Sequence, residues 1–253
     1  EIYSSLVLLK NNNVSLDNLI NLMTSENIKT NLNLPNNKIN FNKFIEISNL
    51  KFSYKKSDKN NIFNNATFKI YKGKKHLIIG KSGCGKSTLI EILLGFLEPQ
   101  NCRIIIDNNE IDFNLRLNLR NKFSYLSQTP FLLDETIKNN ICFGEKKTNL
   151  KLLNKALDLS CSNEFILNLK SGIETIVGEK GIKLSGGQRQ RINLARSFYQ
   201  NKEIMILDEA TNELDFKTED IVLSNLLNQK DKTIIIISHK KNISLKFDHI
   251  YKV

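Results

Sequence analysis

Apolar positions along the chain predict two kinds of strand. Residues 44–54 (FIEISNLKFSY) and 66–73 (ATFKIYKG) alternate apolar and polar side chains. Such alternation is typical of strands with one face in the core and one face in water. Residues 75–80 (KHLIIG), 203–209 (EIMILDE) and 233–239 (TIIIISH) are short apolar runs. These runs favour strands that are buried on both faces.

Segments with helical spacing separate the apolar runs. They are residues 87–97 (STLIEILLGFL), 149–169 and 188–199. Strands that alternate with helices predict an α/β fold whose parallel sheet is covered on both faces.

The first 40 residues form a separate, asparagine-rich segment without a catalytic signature. Four apolar residues there follow the i, i+3, i+4, i+7 spacing of an amphipathic helix: Leu16, Leu19, Ile20 and Met23. The Asn- and Pro-containing residues 31–40 then favour a linker. The predicted organisation is an N-terminal segment and linker over 1–40, followed by one α/β domain over 41–253.

Composition and charge limit the class of protein. Of 253 residues, 40% are apolar and 25% are charged, which suits a globular domain with a substantial core. No apolar run reaches the roughly 18 residues that a bilayer crossing needs. The four cysteines stand singly, which argues against a zinc site and favours a reducing, cytoplasmic setting. A net charge of +11 leaves nucleic acid, an anionic membrane surface, nucleotide phosphates or plain compositional bias open.

A glycine-rich loop between a predicted strand and a predicted helix carries the strongest chemical signal. Residues 80–87 (GKSGCGKS) fit the pattern GxxxxGK[ST] of phosphate-binding loops. Backbone N–H groups and the positive end of the next helix stabilise phosphate there, and Gly83 and Gly85 permit its close approach. Lys86 adds positive charge, and the Ser87 hydroxyl can ligate Mg²⁺. The predicted nucleotide-binding residues of the loop are Gly80, Ser82, Gly83, Cys84, Gly85, Lys86, Ser87 and Thr88.

Two adjacent acids, Asp208 and Glu209, end the apolar run of residues 203–209. Ligands of an open parallel sheet bind outside the carboxyl ends of its strands, so both acids are expected near the phosphate loop. Asp208 is the candidate for reaching the Mg²⁺ held by Ser87, through water. Glu209 is the candidate for taking a proton from the water that attacks the γ-phosphate.

A second helix start suited to an anion lies at residues 184–191 (LSGGQRQR). Ser185 is a favourable N-cap residue, and two glycines, Gly186 and Gly187, begin the helix. A chain that binds one nucleotide has no evident use for two such helix ends.

Residues 41–253 resemble the nucleotide-binding domain of ABC transporters, with the motifs in that family's order. GKSGCGKST resembles the Walker A motif, LSGGQ the signature motif and IMILDE the Walker B motif. Gln128 resembles the glutamine of the Q-loop, and His239 resembles the switch histidine. Tyr54 resembles the aromatic residue that stacks on adenine. The segment NELD, which ends at Asp215, resembles the D-loop.

The resemblance implies a fold and two cofactors. The fold is that of a P-loop NTPase: a RecA-like parallel sheet core, an antiparallel β subdomain and an α-helical signature subdomain over about 129–187. The cofactors are ATP and Mg²⁺, and Gln128 joins Ser87 and Asp208 among the metal contacts.

The resemblance also implies a partner, a second ABC ATPase domain, identical or different, that packs head to tail against this one. Each ATP then lies between the Walker A motif of one domain and the signature of the other. Ser185, Gly187 and Gln188 contact the partner's nucleotide, and Asp215 belongs to the same set of nucleotide-binding residues. Gln128 and His239 join Glu209 in catalysis.

Several of these assignments have structural alternatives. Gln128 also fits an ordinary glutamine at a strand end, and His239 fits a capping residue after the isoleucine run. Tyr54 fits a core aromatic residue, with Tyr71 as a less well-placed rival for stacking on adenine. Glu213 in NELD stands where the family usually has a small residue, which puts the packing of this loop in question.

Two segments resemble the exporter branch of the family. VGEKG (177–181) resembles its X-loop, and FLLDETIKNNI (131–141) follows the Q-loop as in exporters. The resemblance implies a membrane-spanning domain on the same parent chain, whose tail is the N-terminal segment. It also implies a location at the cytoplasmic face of a membrane, such as a bacterial inner membrane. Among exporters, flippases of lipid-linked oligosaccharides or polysaccharides are the most similar.

Two other functions stay open. The first is a soluble ABC ATPase that acts on nucleic acid or ribosomes, which the charge of +11 motivates. It is the weaker hypothesis, and no nucleic-acid partner is expected. The second is a regulatory module that binds ATP without hydrolysing it.

Overall fold

The fold was analysed in a computed structural model, which describes residues 39–54, 61–111, 113–239 and 246–253. The side chains of residues 112–117 are also outside the description. The predicted amphipathic helix and most of the predicted linker lie outside the described residues, so both stay predictions. None of the helices in the described ranges combines the length and the apolarity that a bilayer crossing needs.

Four strands of the described chain form an antiparallel sheet in the order β2-β1-β4-β5. They are β1 (Phe44–Phe52), β2 (Phe63–Tyr71), β4 (Asn101–Ile106) and β5 (Asn109–Ile111). The alternation in the first two segments correctly predicts strands with one buried face. β4 and β5 form a hairpin through Asp107 and Asn108, whose φ values of 50° and 73° suit a tight two-residue turn.

Five strands in the described ranges form a second sheet in the order β6-β7-β8-β3-β9, and every neighbouring pair is parallel. They are β3 (Lys75–Ile79), β6 (Phe123–Leu126), β7 (Ile204–Asp208), β8 (Thr233–Ser238) and β9 (His249–Lys252). The predicted parallel sheet is therefore confirmed. Because the strands are parallel, the segments that follow β3, β6, β7 and β8 all begin at the same edge of the sheet.

Helices connect and cover the strands. The α-helices of the described chain are α1 (Lys86–Leu93), α2 (Ile137–Ile141), α3 (Leu150–Leu159), α4 (Asn163–Leu167), α5 (Gly186–Gln200) and α6 (Phe216–Leu227). Short 3₁₀ helices add Phe113–Lys122, Gly172–Glu174 and Glu179–Gly181. The single helix predicted over 149–169 is wrong, because the left-handed backbone of Cys161 (φ 57°) separates α3 from α4.

Apolar side chains of the parallel sheet alternate between two cores. In β8, Ile234 and Ile236 pack with helices α3, α5 and α6, whereas Ile235 and Ile237 pack with α1 and the antiparallel sheet. The continuous apolar runs of the sequence thus have the predicted physical cause, since both faces of these strands are covered.

A buried histidine links β3 to the edge strand β9. His76 is 0% exposed, and its ring stacks with those of Tyr71, His249 and Tyr251. The Tyr71 backbone N–H lies 3.1 Å from its Nε2, and Nδ1 has no hydrogen-bond partner within the described residues. Burial lowers the pKa of His76 from 6.5 to about 4.

His76 is expected to make the domain about 2 kcal/mol less stable to unfolding at pH 5 than at pH 7. Because its folded pKa of about 4 lies below the unfolded value of 6.5, the fold favours the neutral ring. This contribution is complete above the unfolded pKa and is lost as the pH falls towards the folded one. Urea titrations of the wild type and of His76→Phe at both pH values measure it. An equal loss of stability in the two proteins would contradict the assignment.

Candidate nucleotide-binding site

The glycine-rich loop lies between β3 and α1, as its sequence predicts. Gly83 and Gly85 have φ values of 77° and 103°, a region that favours glycine. A Cβ on Gly85 would overlap the side chain of Ile62, whereas a Cβ on Gly83 would meet open space. Gly85 is therefore required by both conformation and packing, and Gly83 by conformation.

Lys86 begins α1 with its side chain folded over the loop. Its ammonium group donates to the carbonyl oxygens of Gly80 (3.1 Å) and Lys81 (2.9 Å), and the residue is only 5% exposed. A buried ammonium held by two carbonyls places a fixed positive charge where the loop surrounds a phosphate. Ser87, the next residue, is exposed.

Asp208 ends β7 beside this loop and is 3% exposed. Burial raises the pKa of its carboxyl group, while hydrogen bonds from Ser87 and Tyr125 act in the opposite direction. The Tyr125 hydroxyl lies 3.3 Å from Oδ2. A serine hydroxyl beside a carboxylate is an oxygen donor set that suits Mg²⁺, which usually takes one or two carboxylates and completes its shell with phosphates and water. The residues present therefore fit this ion.

Glu209 follows β7 in a left-handed conformation, with φ 51°, which is uncommon outside glycine and typical of functional sites. Its carboxylate accepts from the amide nitrogens of Gln128 (3.2 Å) and Asn212 (3.1 Å) and contacts Nε2 of His239. The other ring nitrogen of His239 lies 3.0 Å from the Gly80 carbonyl. The ends of β6, β7 and β8 therefore bring the three predicted catalytic residues together, next to the phosphate loop that follows β3.

Tyr54 lies on the surface, with 64% of its area exposed. Its ring meets that of Phe52 edge to face at 5.2 Å, and its hydroxyl lies 3.0 Å from the hydroxyl of Thr88 in α1. A core role for Tyr54 is excluded by this exposure. Tyr71, in the antiparallel sheet, stacks its ring on that of His76 in β3. Its ring face is therefore not available for stacking on adenine.

The predicted signature begins α5 with a capping box. The Ser185 hydroxyl accepts from the backbone N–H of Gln188 (3.3 Å), and the Gln188 side chain accepts from the backbone N–H of Ser185 (2.9 Å). Ser185 is exposed, so this helix start faces solvent within one chain.

The D-loop packs against this helix start despite its unusual glutamate. The Glu213 backbone N–H donates to the buried side chain of Gln190 (2.9 Å). The Glu213 carboxylate covers Gly186, and a Cβ on that glycine would overlap it. The backbone oxygen of Glu213 would lie 3.0 Å from a Cβ on Gly187. Glycine in the signature thus makes room for Glu213.

Asp215 ends the D-loop as the N-cap of α6. Its carboxylate accepts from the backbone N–H of Thr218 (3.0 Å), and hydrogen bonds from the Thr218 side chain and backbone lower its pKa. The structure therefore gives Asp215 a capping role. Its predicted contact with nucleotide stays a prediction.

The predicted site residues form two groups within one chain. The first group lies at the edge of the parallel sheet and consists of the phosphate loop, Asp208, Glu209, Gln128 and His239. Tyr54 contacts this group through Thr88. Ser185, Gly187 and Gln188 lie at the start of α5, and the segment 209–215 connects the two groups. Sequence analysis missed Tyr125 and Asn212, each of which bonds to one of the paired acids. The hydroxyl group of Tyr125, within the short run FSYL, was the available signal for a polar contact at this position.

A phosphate loop and an acid pair at one edge of a parallel sheet define a P-loop nucleotide-binding domain. A family model described as "ABC transporter" matches residues 63–212, more than half of the chain. The chain therefore belongs to the ABC transporter family, and it is an ATP-binding domain of that family.

Three similar proteins have names that refer to translocation, export or flipping. The alpha-hemolysin translocation ATP-binding protein HlyB of Escherichia coli O157:H7 is 40% identical over 197 residues, which are 78% of this chain and 28% of that protein. The putative multidrug export ATP-binding/permease protein YgaD of Bacillus subtilis (strain 168) is 38% identical over 208 residues, 81% of this chain and 36% of that protein. The ATP-dependent lipid A-core flippase of Aliivibrio fischeri (strain ATCC 700601 / ES114) is 36% identical over 211 residues, 83% of this chain and 36% of that protein.

A solved structure of a bacterial Atm1-family ABC exporter with ATP bound is also similar. It has a TM-score of 0.79 and 31% sequence identity, over 85% of this chain and 38% of that chain. The chain thus spans about a third of the length of these relatives.

Proposed function

We propose that this chain hydrolyses ATP with Mg²⁺ and powers export or flipping of a cargo, working as one of two ATPase domains packed head to tail. One observation carries the proposal: a single chain presents two helix N-termini suited to phosphate, at Lys86 and at Gly186. Lys86 bonds to carbonyls of its own loop, while Ser185 and Gln188 bond to each other. Two copies in opposite orientation give both helix ends to one nucleotide.

The residues of one chain divide the chemistry of hydrolysis. The loop N–H groups and Lys86 bind the phosphates, and Ser87 and Asp208 would hold Mg²⁺, which offsets phosphate charge. Glu209 accepts a proton from the attacking water, and Gln128 and Asn212 fix its carboxylate. His239 spans from Glu209 to the Gly80 carbonyl, which supports a role for it at the terminal phosphate. Tyr54 offers an exposed ring for stacking on adenine.

The membrane partner is proposed from the relatives. YgaD is named as an ATP-binding/permease protein, and we extend that arrangement to a membrane-spanning domain on the parent chain of this domain. The domain would then lie at the cytoplasmic face of that membrane. The relatives' names cover a hemolysin, multidrug export and lipid A-core, so the flippase subclass stays a prediction and the cargo is undefined.

A mixing experiment tests the head-to-tail pair. Lys86→Ala removes the positive charge that binds the phosphates. Ser185→Arg places a bulky side chain at the start of the signature helix. Each variant alone is therefore expected to have little ATP turnover. In an equimolar mixture half of the dimers combine the two chains, and each mixed dimer keeps one intact site. Phosphate release is therefore expected to recover to about a quarter of the wild-type rate for independent sites.

A matched mixture serves as the control for this test. Lys86→Ala and Glu209→Gln both damage the phosphate-loop side, so their mixed dimer contains no intact site and no recovery is expected. Turnover in the Lys86→Ala and Ser185→Arg mixture that equals the average of the two separate variants would contradict the head-to-tail arrangement.

A further inference from the structure

The end of strand β6 supplies one hydrogen-bond donor to each acid of the pair. Tyr125 in β6 is paired in register with Ile206 of β7, two residues before Asp208. Its hydroxyl donates to Asp208 Oδ2 (3.3 Å). Three residues later, the Gln128 amide donates to Glu209 Oε2 (3.2 Å). Tyr125 within β6 thus serves the acid that ends β7, and Gln128, just after β6, serves the acid that follows β7.

The ring of Tyr125 is held rigidly enough to aim its hydroxyl. It is partly buried and packs against the core that includes α1 and the antiparallel sheet.

Asp208 has few ways to satisfy a carboxylate at its position. It is 3% exposed, and the hydrogen bonds recorded for its side chain come from Ser87 and Tyr125. When a buried carboxylate loses a hydrogen-bond donor, its ionised form becomes less stable in that position. The side chain then turns towards the donors that remain. The Tyr125 bond therefore decides how Asp208 faces Ser87.

We propose that Tyr125 is a positioning residue that fixes the Asp208 carboxylate for the Mg²⁺ of bound ATP. The inference rests on the proposed Mg²⁺-dependent ATP site and goes beyond it, because it gives a role to a residue that acts on the metal only through Asp208.

Tyr125→Phe tests this role, since it removes the hydroxyl and keeps the ring in the core. The probe is a fluorescent ATP analogue, bound first in EDTA and then with increasing Mg²⁺. The Mg²⁺ concentration at half-maximal effect is expected to rise about tenfold or more, which corresponds to the loss of one hydrogen bond to a charged group. Affinity for the analogue in EDTA is expected to stay within about twofold, because the phosphate loop is unchanged.

Tyr199→Phe is the matched control. Its hydroxyl accepts from the backbone N–H of Asn149 (3.0 Å), away from Asp208, so its Mg²⁺ dependence is expected to equal that of the wild type. The Mn²⁺ EPR signal with ADP bound gives a second readout that does not involve turnover, and weaker Mn²⁺ binding in Tyr125→Phe is expected.

Two results overturn the inference, and they are distinguishable. If the wild type responds to Mg²⁺ and Tyr125→Phe responds equally, the role of Tyr125 is wrong while the ATP site stands. If the wild type binds the analogue with no response to Mg²⁺, the proposed metal-dependent function fails and the role of Tyr125 fails with it.

Discussion

Replacing Lys86 by alanine is expected to weaken ATP binding by about 100-fold or more, the equivalent of one or two charge-assisted hydrogen bonds. The ammonium group is buried and donates hydrogen bonds to the carbonyl oxygens of Gly80 and Lys81. Without it, those carbonyl oxygens repel the phosphates that the loop surrounds. Isothermal titration with ATP and Mg²⁺ measures the change in Kd.

Lys81→Ala is the control for this prediction. It removes the same charge from the same loop, but its side chain is exposed, and the expected change in Kd is less than about threefold because exposed charges are screened. Equal affinity of Lys86→Ala and the wild type for ATP would refute the assignment of the phosphate loop.

Replacing Glu209 by glutamine is expected to slow phosphate release by about 100- to 1,000-fold, the usual contribution of a positioned base. The amide keeps the shape of the side chain but cannot accept the proton of the attacking water. ATP affinity is expected to change little, since the phosphate loop is untouched. The variant should therefore accumulate with ATP bound, and size-exclusion chromatography with ATP and Mg²⁺ is expected to show a dimer.

Glu203→Gln is the matched control, because Glu203 precedes the same strand at the opposite end of the sheet. It pairs with Lys122 (2.8 Å) in a partly buried ion pair away from the nucleotide-binding residues, so turnover of the folded variant is expected to match the wild type. Wild-type turnover in Glu209→Gln would remove Glu209 as the base.

Much of the fold follows from the sequence because its signals are local. The apolar runs at 75–80, 203–209 and 233–239 form strands that are buried on both faces, as is typical of a covered parallel sheet. The break between α3 and α4 does not follow, because the left-handed conformation of Cys161 is set by packing and leaves helical spacing on either side. Burial of a histidine such as His76 is likewise a tertiary effect.

The candidate site shows the same division. Glu209 and His239 each end an apolar run, so their meeting is predictable from strand ends alone. The place of Gln128 beside them was predicted only from the resemblance to the family. The bond from Tyr125 to Asp208 is not, because the sequence does not give the order of the strands in the sheet. Nor does it show that Glu213 covers Gly186, since that contact joins two loops distant in the chain.

The most direct measurement is the structure of Glu209→Gln with ATP and Mg²⁺ bound. The account predicts two copies of the chain in which Ser185 and Gly187 of one copy lie within hydrogen-bond distance of the γ-phosphate held by Lys86 of the other. A nucleotide bound at Lys86 with Ser185 of every copy facing bulk solvent would contradict it.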